Sequence, residues 1–234
     1  MNLTNDIEIK GLALYIPKHK AAIISDLQLG YEENLISQGV LVPFTQFEDT
    51  KERLSKDLND LELDTIIVNG DLKHEFGRIS RQEWKDVLRI IDFLSSFCKN
   101  LILVKGNHDI VLSSITKKKG VGVVDSFQLG DIFITHGHEI PEIPKGVKSI
   151  IIGHDHPAVK LRDGDVSETY KCYLKGKWKR KTLIVQPSSF LLTEGTDVLH
   201  YTLKSPFLEK GIENFEIFVV ADKPFYFGKL KDLR

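Results

Sequence analysis

Five short apolar runs, each ending abruptly in Asp, Asn, Gln or His, constrain this chain more than any other feature. Ala21–Ile24 leads into Ser25-Asp26-Leu27-Gln28, Thr65–Val68 into Asn69-Gly70-Asp71, and Leu101–Val104 into Lys105-Gly106-Asn107-His108-Asp109. Ile132–Thr135 leads into His136-Gly137-His138, and Ser149–Ile152 into Gly153-His154-Asp155-His156. The runs are short, rich in β-branched residues or Leu, and apolar at consecutive positions, which suits strands buried on both faces. In open α/β sheets, ligands bind beyond the carboxyl ends of the strands. The pattern therefore predicts a fold that brings five strand ends to one crevice.

Between the early runs, Phe47–Leu61 and Arg81–Phe97 carry apolar residues at helical spacing; Trp84, Val87, Leu88, Ile91 and Leu94 share one stripe. Ser80 followed by Glu83 has capping-box spacing. Strand–helix–strand alternation predicts an α/β layered fold. The second half reads mostly as strands, including Phe127–Gln128, Val159–Leu161, Tyr170–Leu174, Thr182–Val185 and Glu216–Val220, with a hairpin turn expected at Lys175-Gly176-Lys177. No linker or repeat interrupts the 234 residues, so a single domain over 1–234, two packed sheets with helices outside, is expected.

The formal net charge of −1 excludes a global basic field for nucleic acid or membrane. Two cysteines, Cys98 and Cys172, cannot build a disulfide framework. With no apolar run near membrane-spanning length and an acidic start without an apolar leader core, a cytoplasmic location without membrane contact is expected.

Six of the eight histidines, at 74, 108, 136, 138, 154 and 156, lie in or beside the strand-end segments. Histidine with Asp and Asn is a donor set for Mn²⁺, Fe²⁺ or Zn²⁺, not a thiolate site. The ordered series Asp26-x-Gln28, Gly70-Asp71, Gly106-Asn107-His108-Asp109, His136-Gly137-His138 and Gly153-His154-x-His156 resembles the calcineurin-like metallophosphoesterase superfamily. That family's motifs run D-x-H, G-D, G-N-H-[DE], H and G-H-x-H in this order. The flanking residues are most similar to small stand-alone archaeal and bacterial members, including the group associated with DNA ligases.

The resemblance implies a four-layer α/β/β/α sandwich of two mixed sheets with two divalent metal ions at the strand ends. It implies Asp71 as the bridging ligand, Asp26 and His156 at one metal with Gln28 in the place of a histidine, and Asn107, His136 and His154 at the other. Two such ions can grip a phosphate, acidify a water and stabilise the leaving oxygen. Mn²⁺ is the first expectation, with Fe²⁺, Zn²⁺ or Mg²⁺ as alternatives. His108 resembles the histidine that protonates the leaving group. Asp109 either orients His108 or caps a following helix.

Gln28 departs from the pattern. Its amide oxygen can ligate, but more weakly than imidazole, so either that metal is bound loosely, with a shift toward oxygen-preferring ions, or the site works with one metal. His74 and His138 stand as residues behind the ligands or facing substrate, or as ordinary loop histidines. Lys171–Lys181 holds six basic residues and no acid, interleaved with Tyr173 and Trp178. Lys175, Lys177, Trp178 and Lys179 could contact nucleic acid, or form a charged edge that resists aggregation.

The sequence thus predicts a hydrolase acting on a phosphoester, a phosphodiester in a nucleotide or nucleic acid first. The alternatives are a phosphomonoesterase on a small phosphometabolite and a non-catalytic metal-binding scaffold; four retained motif histidines favour the enzyme.

Overall fold

Alternate residues of the first run face two different cores. Ala22 and Ile24 enter one apolar cluster and Ile23 another, so both faces of this strand are buried. The computed structural model describes residues 1–75, 80–109, 112 and 116–233. Strands β1 (Glu8–Lys10), β2 (Ala13–Ile16), β3 (Ala21–Ser25), β4 (Thr65–Asn69), β5 (Asn100–Val104) and β6 (Gly122–Val124) form the first sheet in that order. Its last four strands are parallel.

The second sheet is built from β7 (Ser126–Leu129), β8 (Ile132–Thr135), β9 (Ser149–Ile152), β10 (Pro157–Asp163), β11 (Val166–Trp178), β12 (Lys181–Val185) and β13 (Thr196–Asp197). Its order is β13-β10-β11-β12-β9-β8-β7, with β8, β9 and β12 parallel. A hairpin of β14 (Glu216–Val220) and β15 (Pro224–Lys229) joins at β11.

The sheets stack through one shared core, in which Ile16, Ile23, Ile67 and Val104 meet Ile134, Ile151, Tyr173 and Ile184. Fully burying such a side chain contributes about 1.5–3 kcal/mol. Helices α1 (Tyr31–Ser37), α2 (Gln46–Leu58) and α3 (Arg81–Ser95) follow β3 and β4, and α2 and α3 cover the outer face of the first sheet through Leu54, Leu58, Val87 and Ile91. Ser80 and Glu83 close the expected capping box at the start of α3. The outer face of the second sheet is covered differently: Leu203, Phe207, Leu208 and Phe215, from irregular chain and short 3-10 turns, take the place of a helical layer.

The expected turn at Lys175-Gly176-Lys177 lies inside β11 instead. A Cβ on Gly176 would sit 2.1 Å from Phe215 Cδ1, so this glycine lets an aromatic ring onto the sheet. The chain reverses at Lys179-Arg180, with Lys179 at φ +53°. Among the described residues no helix is long and apolar enough to cross a membrane.

Candidate functional site

Register aligns the motif-bearing strand ends. Ser25 pairs with Asn69 and Asn69 with Val104, so β3, β4 and β5 finish level. In the second sheet β8 and β9 run parallel, and Gly153 N–H donates to the His136 carbonyl at 2.9 Å, carrying the ladder past the strands. Ser189 N–H, beyond β12, donates to Ser25 O at 2.7 Å and ties the two sheets at this edge.

The loops that leave these strands turn hard. Asp26, Gln28, Asp71, His154 and His156 all have positive φ, between 38° and 69°. Each such residue costs on the order of 1–3 kcal/mol, and such strain gathers at functional sites. Two glycines make room. A Cβ on Gly106 would lie 2.1 Å from Asp71 Oδ1, and one on Gly153 would lie 2.0 Å from Ser25 Oγ and 2.4 Å from Asp26 Oδ2.

The polar groups converge as the spacing predicts. Ligand atoms of Asp71, His136 and His154 all lie within 4.8 Å of one another. His136 Nε2 stands 3.4 Å from Asp71 Oδ2, 3.1 Å from Asn107 Oδ1 and 3.2 Å from His154 Nδ1. Beside this group, His156 Nε2 is 3.3 Å from Asp26 Oδ1. Asp26 Oδ1, His136 Nδ1 and His156 Nε2 are buried without a hydrogen-bond partner among the described residues. An unsatisfied buried polar atom costs about 1–3 kcal/mol, so this is a donor set that fits divalent cations.

The electrostatics agree. Burial opposes charge on His136, yet Asp26 and Asp71 outweigh it and push its pKa up to about 9. Burial also opposes ionisation of Asp71, but its contacts with His136 and His108 hold it well below the carboxylate range. His154 falls to about 4 through burial and the neighbouring His136. Two buried carboxylates, 3.6 Å and 3.4 Å from its two ring nitrogens, thus favour positive charge on the His136 imidazole.

Gln28 points inward, as a ligand position requires, but its amide is turned. Nε2 donates to Asp71 Oδ2 at 3.0 Å, while Oε1 faces His74 Nδ1 at 2.9 Å. His74 lines the same cavity, and its backbone N–H and that of Glu75 donate to the α3 glutamate Glu83. His138 lies beside this group, its ring centroid 5.3 Å from that of His136.

His108 faces the cavity with Nε2 3.7 Å from Asp71 Oδ2. Its Nδ1 meets the His74 carbonyl, so of the two roles open to Asp109 the orienting of His108 is not the one seen. Asp109 Oδ2 instead accepts from Gly106 N at 3.0 Å and Leu72 N at 3.4 Å, closing the loop that presents Asn107. The helix it was expected to cap would begin after residue 109, where the chain lies mostly outside the described residues.

The basic hairpin does not reach this site. Thr182 pairs with Ser149 and Val185 with Ile152, so the Lys179-Arg180 turn lies at the end of β12 opposite His154. There Lys175 pairs with Glu216 at 2.5 Å, Lys177 donates to Thr182 Oγ1 at 3.0 Å, and Trp178 packs on Phe207 with Lys179 above its ring.

Residues that sequence reasoning missed complete the cavity of about 480 Å³: Phe190, Thr196, Thr202 and Lys204 join the motif residues in its wall. Their one sequence signal is Asp155, between the two histidines. Its buried carboxylate receives the Lys204 N–H, and the Ser205 N–H at 3.0 Å.

The model of the family described as calcineurin-like phosphoesterase matches residues 19–163, which include every motif residue above. The chain belongs to this family. It is therefore a hydrolase acting on phosphoester bonds and dependent on divalent metal. Among solved structures, the Pseudomonas putida nuclease MPE superposes with a TM-score of 0.64 at 18% identity, over 91% of each chain, which shows the shared fold. A protein of unknown function from Aquifex aeolicus, AQ665, matches with a TM-score of 0.37 at 19% identity over 58% of this chain and 78% of its own. No curated protein matches the chain.

Proposed function

We propose that this phosphoesterase hydrolyses phosphodiesters of nucleic acids with two divalent cations, Mn²⁺ the best suited. The observation that carries the two-cation reading is a second carboxylate–histidine contact, Asp26 with His156 at 3.3 Å, beside the Asp71–His136–His154 group, with Asp26 Oδ1 3.6 Å from His136 Nδ1. Asp71, Asn107, His136 and His154 would hold one ion, and Asp26, Asp71 and His156 the other, with the Gln28 amide against Asp71. When bound, such ions supply positive charge to the phosphoryl oxygens and lower the pKa of a water.

The chain's own residues do the rest. Asp71 and Asp26 concentrate negative charge that the backbone fixes, since His108 N–H donates to Asp71 Oδ1 at 3.0 Å and His154 N–H to Asp26 Oδ2 at 3.2 Å. His108, held by the His74 carbonyl and open to the cavity, donates a proton from Nε2 to the departing oxygen. An alkoxide leaving group, as in a nucleic-acid backbone, needs that proton. The nuclease that shares the fold supports the same substrate class.

Rates on bis-p-nitrophenyl phosphate and p-nitrophenyl phosphate, with Mn²⁺, Mg²⁺, Zn²⁺ or Fe²⁺, test the reading. Faster turnover of the diester with Mn²⁺ is expected. Preference for the monoester would replace this reading with a phosphomonoesterase on small metabolites.

A further inference from the structure

The site cavity does not end at Lys204. A second cavity of about 620 Å³, lined by Lys160, Thr169, His200 and Tyr201, shares Thr196, Thr202 and Lys204 with it. Both volumes fall in the ~300–1,000 Å³ range of pockets for ligands of nucleotide size. The shared wall is fixed to the metal-ligand loop at two points. Thr196 N–H donates to the His156 carbonyl at 2.8 Å, and Lys204 N–H to the Asp155 carboxylate. Lys160 and Lys204 are both exposed in the wall of this cavity, where their ammonium groups can meet an anion. The one carboxylate in the second cavity, Asp197, is already engaged: it accepts from Leu199 N at 3.1 Å and Lys160 N at 3.4 Å, and His200 Nδ1 lies 2.6 Å from its Oδ2. Tyr201 is 68% exposed and offers a flat aromatic face.

We infer that this second cavity binds the nucleotide next to the scissile phosphodiester of a single-stranded nucleic acid, with Lys204 at the junction and Lys160 on the backbone phosphates and Tyr201 under the base. The inference rests on the phosphodiesterase reading and names its substrate. A free base face is needed for stacking on Tyr201, which a base inside a duplex does not offer. The basic residues follow the wall from the metal ligands outward, as a strand's phosphates would.

Fluorescence anisotropy of a labelled deoxythymidine oligonucleotide of about 8 nucleotides, within the ~4–16-nucleotide span of single-strand sites, tests this in EDTA, where no cleavage intervenes. A uridine oligonucleotide distinguishes RNA from DNA, and the matching duplex serves as competitor. Tyr201→Ala should weaken single-strand binding roughly 5- to 150-fold, the span of one lost base stack, and Tyr201→Phe should restore it. Lys160→Ala should flatten the salt slope by about 0.7, the loss of one phosphate contact. With Mn²⁺, Tyr201→Ala should lower kcat/KM for the oligonucleotide far more than for bis-p-nitrophenyl phosphate.

A Lys177→Ala/Lys179→Ala variant, changed at the opposite end of β12, should match the wild type in every assay. Unchanged binding by Tyr201→Ala, equal losses on both substrates, or a loss confined to the hairpin variant would each overturn the inference. A wild type that turns over the small diester but does not bind the strand overturns it too, and leaves the phosphoesterase activity standing. Strand binding without hydrolysis of any diester would instead sink the catalytic reading and keep the groove.

Discussion

The Gln28 amide donates to the Asp71 carboxylate across 3.0 Å, from the position where the family's motif carries a histidine. The contact places N–H groups, not a lone pair, against the carboxylate. Oε1, the atom that could ligate, is engaged with His74 Nδ1 at 2.9 Å. Rotating the amide by half a turn exchanges the two atoms. Ligation by Gln28 therefore requires breaking its contact with Asp71 and presenting Oε1 to the site.

Gln28→His should consequently bind the second metal more tightly and reach full activity at lower Mn²⁺. The gain should at least match the roughly 10–100-fold that outer-shell partners contribute to metal affinity. Zn²⁺ and Fe²⁺ should gain more than Mg²⁺, since nitrogen donors favour the softer ions. The backbone at φ +50° accepts the change, because histidine is enriched in that region. Calorimetric titration of the two proteins checks it, and identical affinities and ion preferences would remove residue 28 from the ligand set.

Asp71→Asn should lose both metals and nearly all turnover. The change keeps the side chain's shape but removes the carboxylate charge that the proposed ions would share. Elemental analysis decides this; two metals per chain in the mutant would show that the bridge lies elsewhere.

His108→Ala should keep its metals while kcat on an oligonucleotide drops roughly 10²–10⁴-fold, the range for a lost general acid. The drop should be smaller on bis-p-nitrophenyl phosphate, whose leaving group departs unprotonated. Equal losses on the two substrates would mean that His108 stabilises charge instead of delivering a proton.

Metal affinity should rise with pH up to about 9, because a cation has to displace the proton that His136 holds in the metal-free protein. The sign follows from the raised pKa. Relative to an ordinary value of 6.5, protonated His136 stabilises the metal-free fold fully below that pH, and the contribution is lost as pH rises through about 9. The Tm of the metal-free protein should fall over this window, while the loaded protein should not show that loss. Titrations in buffers of different ionisation enthalpy measure the released proton, and a pH-independent affinity would contradict the assignment.

Gly153→Ala should fold but bind metal poorly. Its Cβ would meet Ser25 Oγ at 2.0 Å and Asp26 Oδ2 at 2.4 Å, so Asp26 must move. Overpacking of this kind costs about 1–3 kcal/mol. A lower Tm together with weakened metal binding is the expected pair of readouts; wild-type metal affinity would mean that Asp26 is not held by this contact.

Much of the site was legible because its residues directly follow strands. Asp26, Asp71, Asn107, His136, His154 and His156 each come within four residues after a strand end, and parallel register alone brings such ends level. Helices α2 and α3 were legible for a similar reason, since each buries one stripe on the first sheet. Short edge strands such as β1 and β6, at three residues each, carry too little periodicity to read.

The sequence by itself determined the layered α/β class, the clustering of the metal-ligand types and the family, because these rest on local order: apolar run, tight turn, polar ligand. Only the tertiary structure decided which way the Gln28 amide faces, that the His74 carbonyl and not Asp109 holds His108, and that the basic hairpin sits at the far end of β12. It also brought Lys204 against Asp155, 49 positions earlier in the chain. Such contacts depend on which distant segments the packed sheets bring together, and no spacing along the chain encodes that distance.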